Sequence, residues 1–262
     1  MKLKGQCRSN SNESKVAAFR ASVLFLACAT VDSLILIIIG LLIGIEFGFL
    51  LPCSVALASL WIYLVFRKID SFILKKINAV PVNLETHPRF INLVEGVCIS
   101  YGFRNPQLFL IEDAAPNMMM VGRDPQHSNL VVTTGLLDRV KRTELEGLIT
   151  HELSRSRGRT SYLEGALAIL VAWPWAFLPS IVSKVGAKFL DPWSIAEIDI
   201  AAVGLTRYPP GLEKALESLY SDGREPANNP RFCRHMWINP PSEPLINSGF
   251  STDDRIAALA EL

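Results

Sequence analysis

Residues 21–66 read ASVLFLACATVDSLILIIIGLLIGIEFGFLLPCSVALASLWIYLVF, and only Asp32 and Glu46 carry charge among these 46 positions. As one helix the stretch is roughly 69 Å long, while a bilayer's hydrocarbon core is roughly 30 Å thick. One crossing cannot use it; two can. The break belongs near Gly44, Glu46 and Gly48, because a charge between glycines suits a tight turn better than the middle of a membrane. The spacing predicts transmembrane helices at about 21–43 and 48–66. Asp32 is expected to face the second helix or the headgroups on the turn side.

The flanks orient this hairpin. Lys2, Lys4, Arg8, Lys15 and Arg20 precede it, Arg67, Lys68, Lys75 and Lys76 follow it, and the turn has no Lys or Arg. Positive residues stay on the cytoplasmic side, so both ends belong there. Residues 1–20 then form a basic cytoplasmic tail, and residues 67–262 a domain facing the cytoplasm from a multi-pass protein of the plasma (inner) membrane. A cleaved leader is not expected, since the apolar run is too long and starts some twenty residues in. The whole chain has 262 residues, half of them hydrophobic, with 26 Lys+Arg against 25 Asp+Glu. That balance argues against nucleic acid as a partner and points to membrane lipids. Five scattered cysteines without a CxxC pair fit neither a disulfide framework nor a cysteine zinc site.

After the hairpin, Pro88 and the helical spacing of Phe90, Leu93, Val94 and Val97 predict a helix over 89–101. Strands are expected at 107–111 and 129–134, with an extended A-P-N-M-M-M-V-G segment at 115–122. A short helix at 136–140 precedes a longer one that starts at Thr143, read with Glu146 as a capping box, and runs to about Arg157. Further helices are expected at 193–205, 210–220 and 252–261. Residues 222–250, rich in Pro, Asn and Ser, read as irregular. A third apolar stretch fills 163–183, with Glu164 its only charge before Lys184.

The longer helix carries H-E-L-S-R at 151–155. In H-E-x-x-H two imidazoles one turn apart share a helix face and grip zinc, and the Glu serves as general base to the bound water. Here the second imidazole is replaced by Arg155, a permanent cation that cannot ligate a metal. Its charge adds repulsion against a dication on the order of several kcal/mol even at an effective dielectric near 20. His87, His127 and His235 are the other histidines that could substitute, each placed in an apparent loop or helix start.

Around that motif, L-F-L-I-E-D at 108–113, A-P-N at 115–117, V-V-T-T-G-L-L-D at 131–138 and E-L-E-G-L-I-T-H-E-L at 144–153 follow one another in a specific order. With E-I-D-I-A at 197–201 and T-D-D-R-I-A-A-L at 252–259, nearly the whole chain resembles the HtpX-like membrane metalloproteases, relatives of the CAAX prenyl endoproteases. The resemblance implies an α+β, mainly helical fold: a transmembrane hairpin and then a metzincin- or gluzincin-like metalloprotease domain with a small, edge-exposed sheet. It implies zinc as cofactor, His151 as first ligand, Glu152 as general base and Glu197 as third ligand. Asn117, Met118 and Met119 fall on the edge strand that faces substrate. Three departures accompany it: Arg155; Ala201, where E-x-x-A-D has the Asp that orients a ligand imidazole; and G-F-S at 249–251 in place of His-Pro-Pro.

Two functions follow. One is a pseudoprotease, a membrane-anchored scaffold or binding protein in which zinc is absent or weak and a protein or peptide partner docks at the edge strand. The other is an active zinc endopeptidase of membrane or misfolded proteins with a rewired metal site. Arg155 is expected to fill the metal position and bridge Glu152, Glu197 or both. The methionine run is expected beside the pocket as an adaptable apolar surface, with plain core packing the equal alternative. Residues 163–183 are expected to turn back at W-P-W (173–175), dipping into the leaflet or packing on the first two helices, since a single crossing would separate Glu197 from His151.

Overall fold

The computed structural model describes residues 2–83, 85–172, 174–190, 192–240, 245–246 and 251–262. Trp173, Gly249 and Phe250, three positions to which the sequence drew attention, lie outside them.

Helix α1 (Lys2–Leu42) and helix α2 (Phe47–Lys76) form the hairpin. The turn falls where expected, with Gly44 at φ 84°. Both are long and apolar enough to cross a membrane. Leu34, Ile38 and Leu42 on α1 and Trp61 and Leu64 on α2 point outward. Apolar surface on the outside and little within is the reverse of a water-facing helix. Both helices outrun the apolar run itself: the basic tail is helical from Lys2, and α2 continues past Arg67 to Lys76.

The rest of the chain is built on a four-stranded sheet, in the order β1 (Val80–Pro81), β2 (Gln107–Ile111), β4 (His127–Thr133), β3 (Met118–Asp124). Strands β2 and β4 run parallel, β3 and β4 antiparallel. Helix α3 (Pro88–Tyr101) separates β1 from β2. Helix α4 (Thr134–Arg139) and helix α5 (Arg142–Arg157) follow β4, then α6 (Thr160–Leu167), a π turn (Ala168–Ala172), α7 (Pro179–Phe189), α8 (Pro192–Thr206) and α9 (Pro209–Asp222). A 3₁₀ turn (Arg231–Met236) and α10 (Thr252–Ala260) end the chain. The capping box of α5 sits two residues earlier than Thr143 and Glu146 suggest: Glu144 accepts from the Lys141 amide at 2.9 Å. Glu146 instead accepts from the Tyr101 hydroxyl at 3.1 Å.

The sheet has a core on each face. Met118 and Met120 join Leu130, Val132, Leu148 and Leu216 on one side. Met119 and Val121 join Val131, Ile73, Leu167 and Trp237 on the other. All three methionines are fully buried, so the adaptable binding surface expected of them is not there. A strand covered on both faces must be apolar at consecutive positions, which accounts for M-M-M-V without a ligand.

Residues 163–172 are buried too, and they do return. Tyr162 stacks near Phe25 and Phe66, whereas Gly165 packs on Ile69 and Ile73, one to two turns further along α2. Helix α6 therefore runs along the part of α2 that leaves the apolar span, and its side chains are covered by protein. Helix α7 comes back until the Phe189 carbonyl accepts from Arg20 at 3.0 Å. The turn between them leaves Trp175, Phe177 and Leu178 exposed.

Candidate active site: a buried arginine between two carboxyls

Helix α5 delivers His151, Glu152 and Arg155 to the interior, all of them buried. The guanidinium of Arg155 donates from Nη1 to Glu152 at 2.8 and 3.2 Å. Its Nη2 donates to Glu164 on α6, and both terminal nitrogens reach the Met236 carbonyl at 3.1 Å. Burial works against this charge, but Glu152, and after it Glu164, hold the guanidinium protonated more firmly than usual. Burial pushes Glu164 up to about 7, against the pull of Arg155. Arg155 thus bridges two carboxyls, as charge balance demands, but the second is Glu164 and not Glu197.

Glu197 is exposed on α8. The inward face of that helix carries Ile198, Asp199, Ala202 and Val203, and Glu197, two positions before Asp199, is turned roughly 200° away from it. Asp199 meets His151, Nδ1 to Oδ1 at 2.8 Å, with the ring N–H poorly aimed along the line. Arg255 from α10 grips the same carboxylate with Nε and Nη2, each at 2.8 Å. Burial alone would raise Asp199, yet Arg255 and then His151 hold it well below the usual carboxylate range.

Asp199, not position 201, is therefore the carboxylate that stands beside the imidazole, where the resemblance puts the last residue of E-x-x-A-D. Counting back four residues, the ligand position falls on Ile195, which lines a cavity of about 20 Å³ with His151, Arg155, Glu164 and His235. Ala201 is not a departure after all; the departure is Ile195. His235 is also buried, its Nε2 3.2 Å from the Glu164 carbonyl, and burial pushes it down to about 4, with Arg155 adding to the shift. Its place in an apparent loop does not leave it at the surface: it sits in the largely buried 3₁₀ turn. His127, by contrast, is exposed and paired with Asp124 at 2.8 Å.

Met118 and Met119 open β3 beside this cluster, with Asn117 just before them, but the strand's outer edge is not exposed. Trp237 pairs antiparallel with Met119, and the Ile238 amide donates to the Met118 carbonyl at 2.8 Å. Glu164, Asp199, Arg255, Ile195 and residues 236–239 complete the site, and sequence reasoning assigned none of them a role in it. A signal existed for one: Glu164 is a lone acid in an apolar run, nine residues from Arg155, and each needs the other once buried.

A zinc site does not fit these side chains. Of the three positions that would ligate, only His151 is a donor; Arg155 and Ile195 cannot be. Among the described residues no three His, Cys, Asp or Glu side chains converge to hold a metal ion.

Residues 84–187 match the model of peptidase family M48. A protease HtpX homolog of Campylobacter curvus is 28% identical over an alignment of 269 positions, gaps included, that covers 87% of this chain and 93% of the relative. Another, of Dictyoglomus turgidum, is 28% identical over 226 residues, 72% and 73% of the two chains. A third, of Thermoanaerobacter pseudethanolicus, is 35% identical over 141 residues, 53% and 47%. Over most of its length the chain is similar to HtpX-type proteases. No solved structure matches. In this HtpX-like chain the β2–β4 pair runs parallel, the H-E pair is buried, and Asp199 meets His151 at 2.8 Å.

Proposed function

We propose that this HtpX-like protein is a membrane-anchored pseudoprotease, a scaffold or binding protein that keeps the protease fold without zinc peptidase chemistry. The observation that carries the reading is the Arg155 guanidinium held between Glu152 and Glu164. It puts a permanent positive charge where a metal cation would have to sit, and it engages the carboxylate that would otherwise act as general base. Ile195 supports the same reading independently, because an isoleucine offers no electron pair. The hairpin anchors the domain among lipids, and its basic flanks support a cytoplasmic orientation in a multi-pass arrangement.

An active enzyme with a rewired site has one observation in its favour: His235 faces the same cavity as His151 and Glu164. Arg155 lies among those groups, however, and the Nε2 of His235 is turned to a backbone carbonyl.

Metal analysis of detergent-purified protein separates the two readings. Zinc at background level and no chelator-sensitive cleavage of casein are expected; stoichiometric zinc with such cleavage would sink the proposal. Arg155→His alone should still take up no zinc. Arg155→His combined with Ile195→Glu and Glu164→Gln should take it up, because the triple variant restores two donors and removes the acid left unpaired.

A further inference from the structure

The contacts of residues 236–239 are those of a peptide bound in a groove. Trp237 lies antiparallel to Met119, and the Ile238 amide donates to Met118 O at 2.8 Å. The Asn117 side chain then clamps Asn239 from both sides: its Nδ2 donates to the Asn239 carbonyl at 2.8 Å and its Oδ1 accepts from the Asn239 amide at 3.3 Å. The carbonyls are taken as well. Met236 O receives Arg155, and Ile238 O receives Arg255 Nη1 at 2.8 Å. The side chains of Met236, Trp237 and Ile238 are buried.

We infer that residues 236–239 are a built-in occupant of the groove, seated on the β3 edge as an extended polypeptide would be, with the Met236 carbonyl held by Arg155. Strand addition recognises its ligand through main-chain bonds along an open edge, with pockets for alternate side chains. Every part of that recognition is here satisfied by the chain's own segment. An external extended polypeptide can therefore pair with β3 only after this segment leaves. Leaving breaks the two contacts to guanidinium groups, and bonds to charged donors are stronger than neutral ones. The inference goes beyond the pseudoprotease reading and does not depend on it, since edge occupancy is independent of metal content.

The test uses the full chain in lipid nanodiscs, with hydrogen exchange and the binding of fluorescently labelled unfolded casein read by anisotropy. In the wild type the Ile238 amide is expected to exchange as slowly as those of Leu130 and Val132 on β4, and casein should show no saturable binding. Ile238→Pro removes the donor to Met118 O, and the extended Trp237 backbone (φ −67°, ψ 145°) accommodates a following proline. It should make casein binding saturable, with a Kd at least about tenfold below the highest concentration at which the wild type shows none, because apparent affinity follows the fraction of chains whose edge is open. Trp237→Ala, which removes the buried anchor, is the second variant should the proline prevent folding. Three results would overturn the inference: rapid exchange at Ile238 in the wild type, saturable casein binding while Ile238 stays protected, or a folded variant with 237–239 released that still binds no casein.

Discussion

At the scale of single residues, Arg155 shows what a buried guanidinium demands of its surroundings. Two carboxyls converge on it, and a guanidinium has enough fixed donors to serve both while also binding the Met236 carbonyl. Such a pair is poor evidence of net stability, but breaking it from one side is costly because the partner charges stay buried. Arg155→Leu is expected to cost about 3–5 kcal/mol in denaturant unfolding, and adding Glu164→Leu should recover part of the loss. Single and double variants that lose the same amount would show that the two side chains do not act as a unit. His235 supplies a pH dependence. Its folded value of about 4 lies below the ordinary 6.5, so its contribution is present above pH 6.5 and is lost as pH falls toward 4. Between pH 7 and 5 that loss is about 2 kcal/mol. Glu164, raised to about 7, acts in the opposite sense and stabilises the fold as pH falls. The measurable quantity is thus the difference between the wild type and His235→Phe, whose stability curves should converge on acidification. Parallel curves would mean that His235 titrates normally.

At the scale of elements, periodicity located nearly every helix and strand, because local apolar spacing reflects which faces are covered. It failed on α8. That helix is apolar almost all round, so its sequence does not say which side faces in, and Glu197 and Asp199 competed for one role. Only packing against α5 chose Asp199. The 222–250 segment was opaque for another reason: residues 236–239 lie flat through bonds to Asn117, Arg155 and Arg255, partners up to 122 positions away. No local pattern encodes that. A junction that can be tested is Gly135, at the start of α4. A Cβ there would stand 2.1 Å from the Ala114 carbonyl oxygen, which belongs to backbone and cannot swing aside. Gly135→Ala should cost about 1–3 kcal/mol by overpacking, read as a lowered denaturation midpoint. An unchanged midpoint would mean that the loop at 113–115 gives way freely.

At the scale of the whole molecule, the meeting of His151 and Asp199 constrains topology. The apolar segment between them must return to the side it left, and α6 and α7 do so while packed on α1 and α2. Cysteines placed at Thr160 and Lys188 should label from the same side of the membrane in intact cells; labelling from opposite sides would contradict the fold. The pair of long apolar helices, the order of strands and helices, and the arginine that ends H-E-L-S-R were all determined by the amino-acid sequence alone. Each rests on hydrophobicity, on spacing, or on the chemistry of one side chain, and these are properties of short stretches. Only the tertiary structure decided that Glu164 neutralises Arg155, that Asp199 and not Glu197 reaches His151, and that the β3 edge is already covered. Those outcomes depend on which distant groups share a low-dielectric interior, where each buried charge and each open backbone bond must find a partner, and the chain's order does not name that partner.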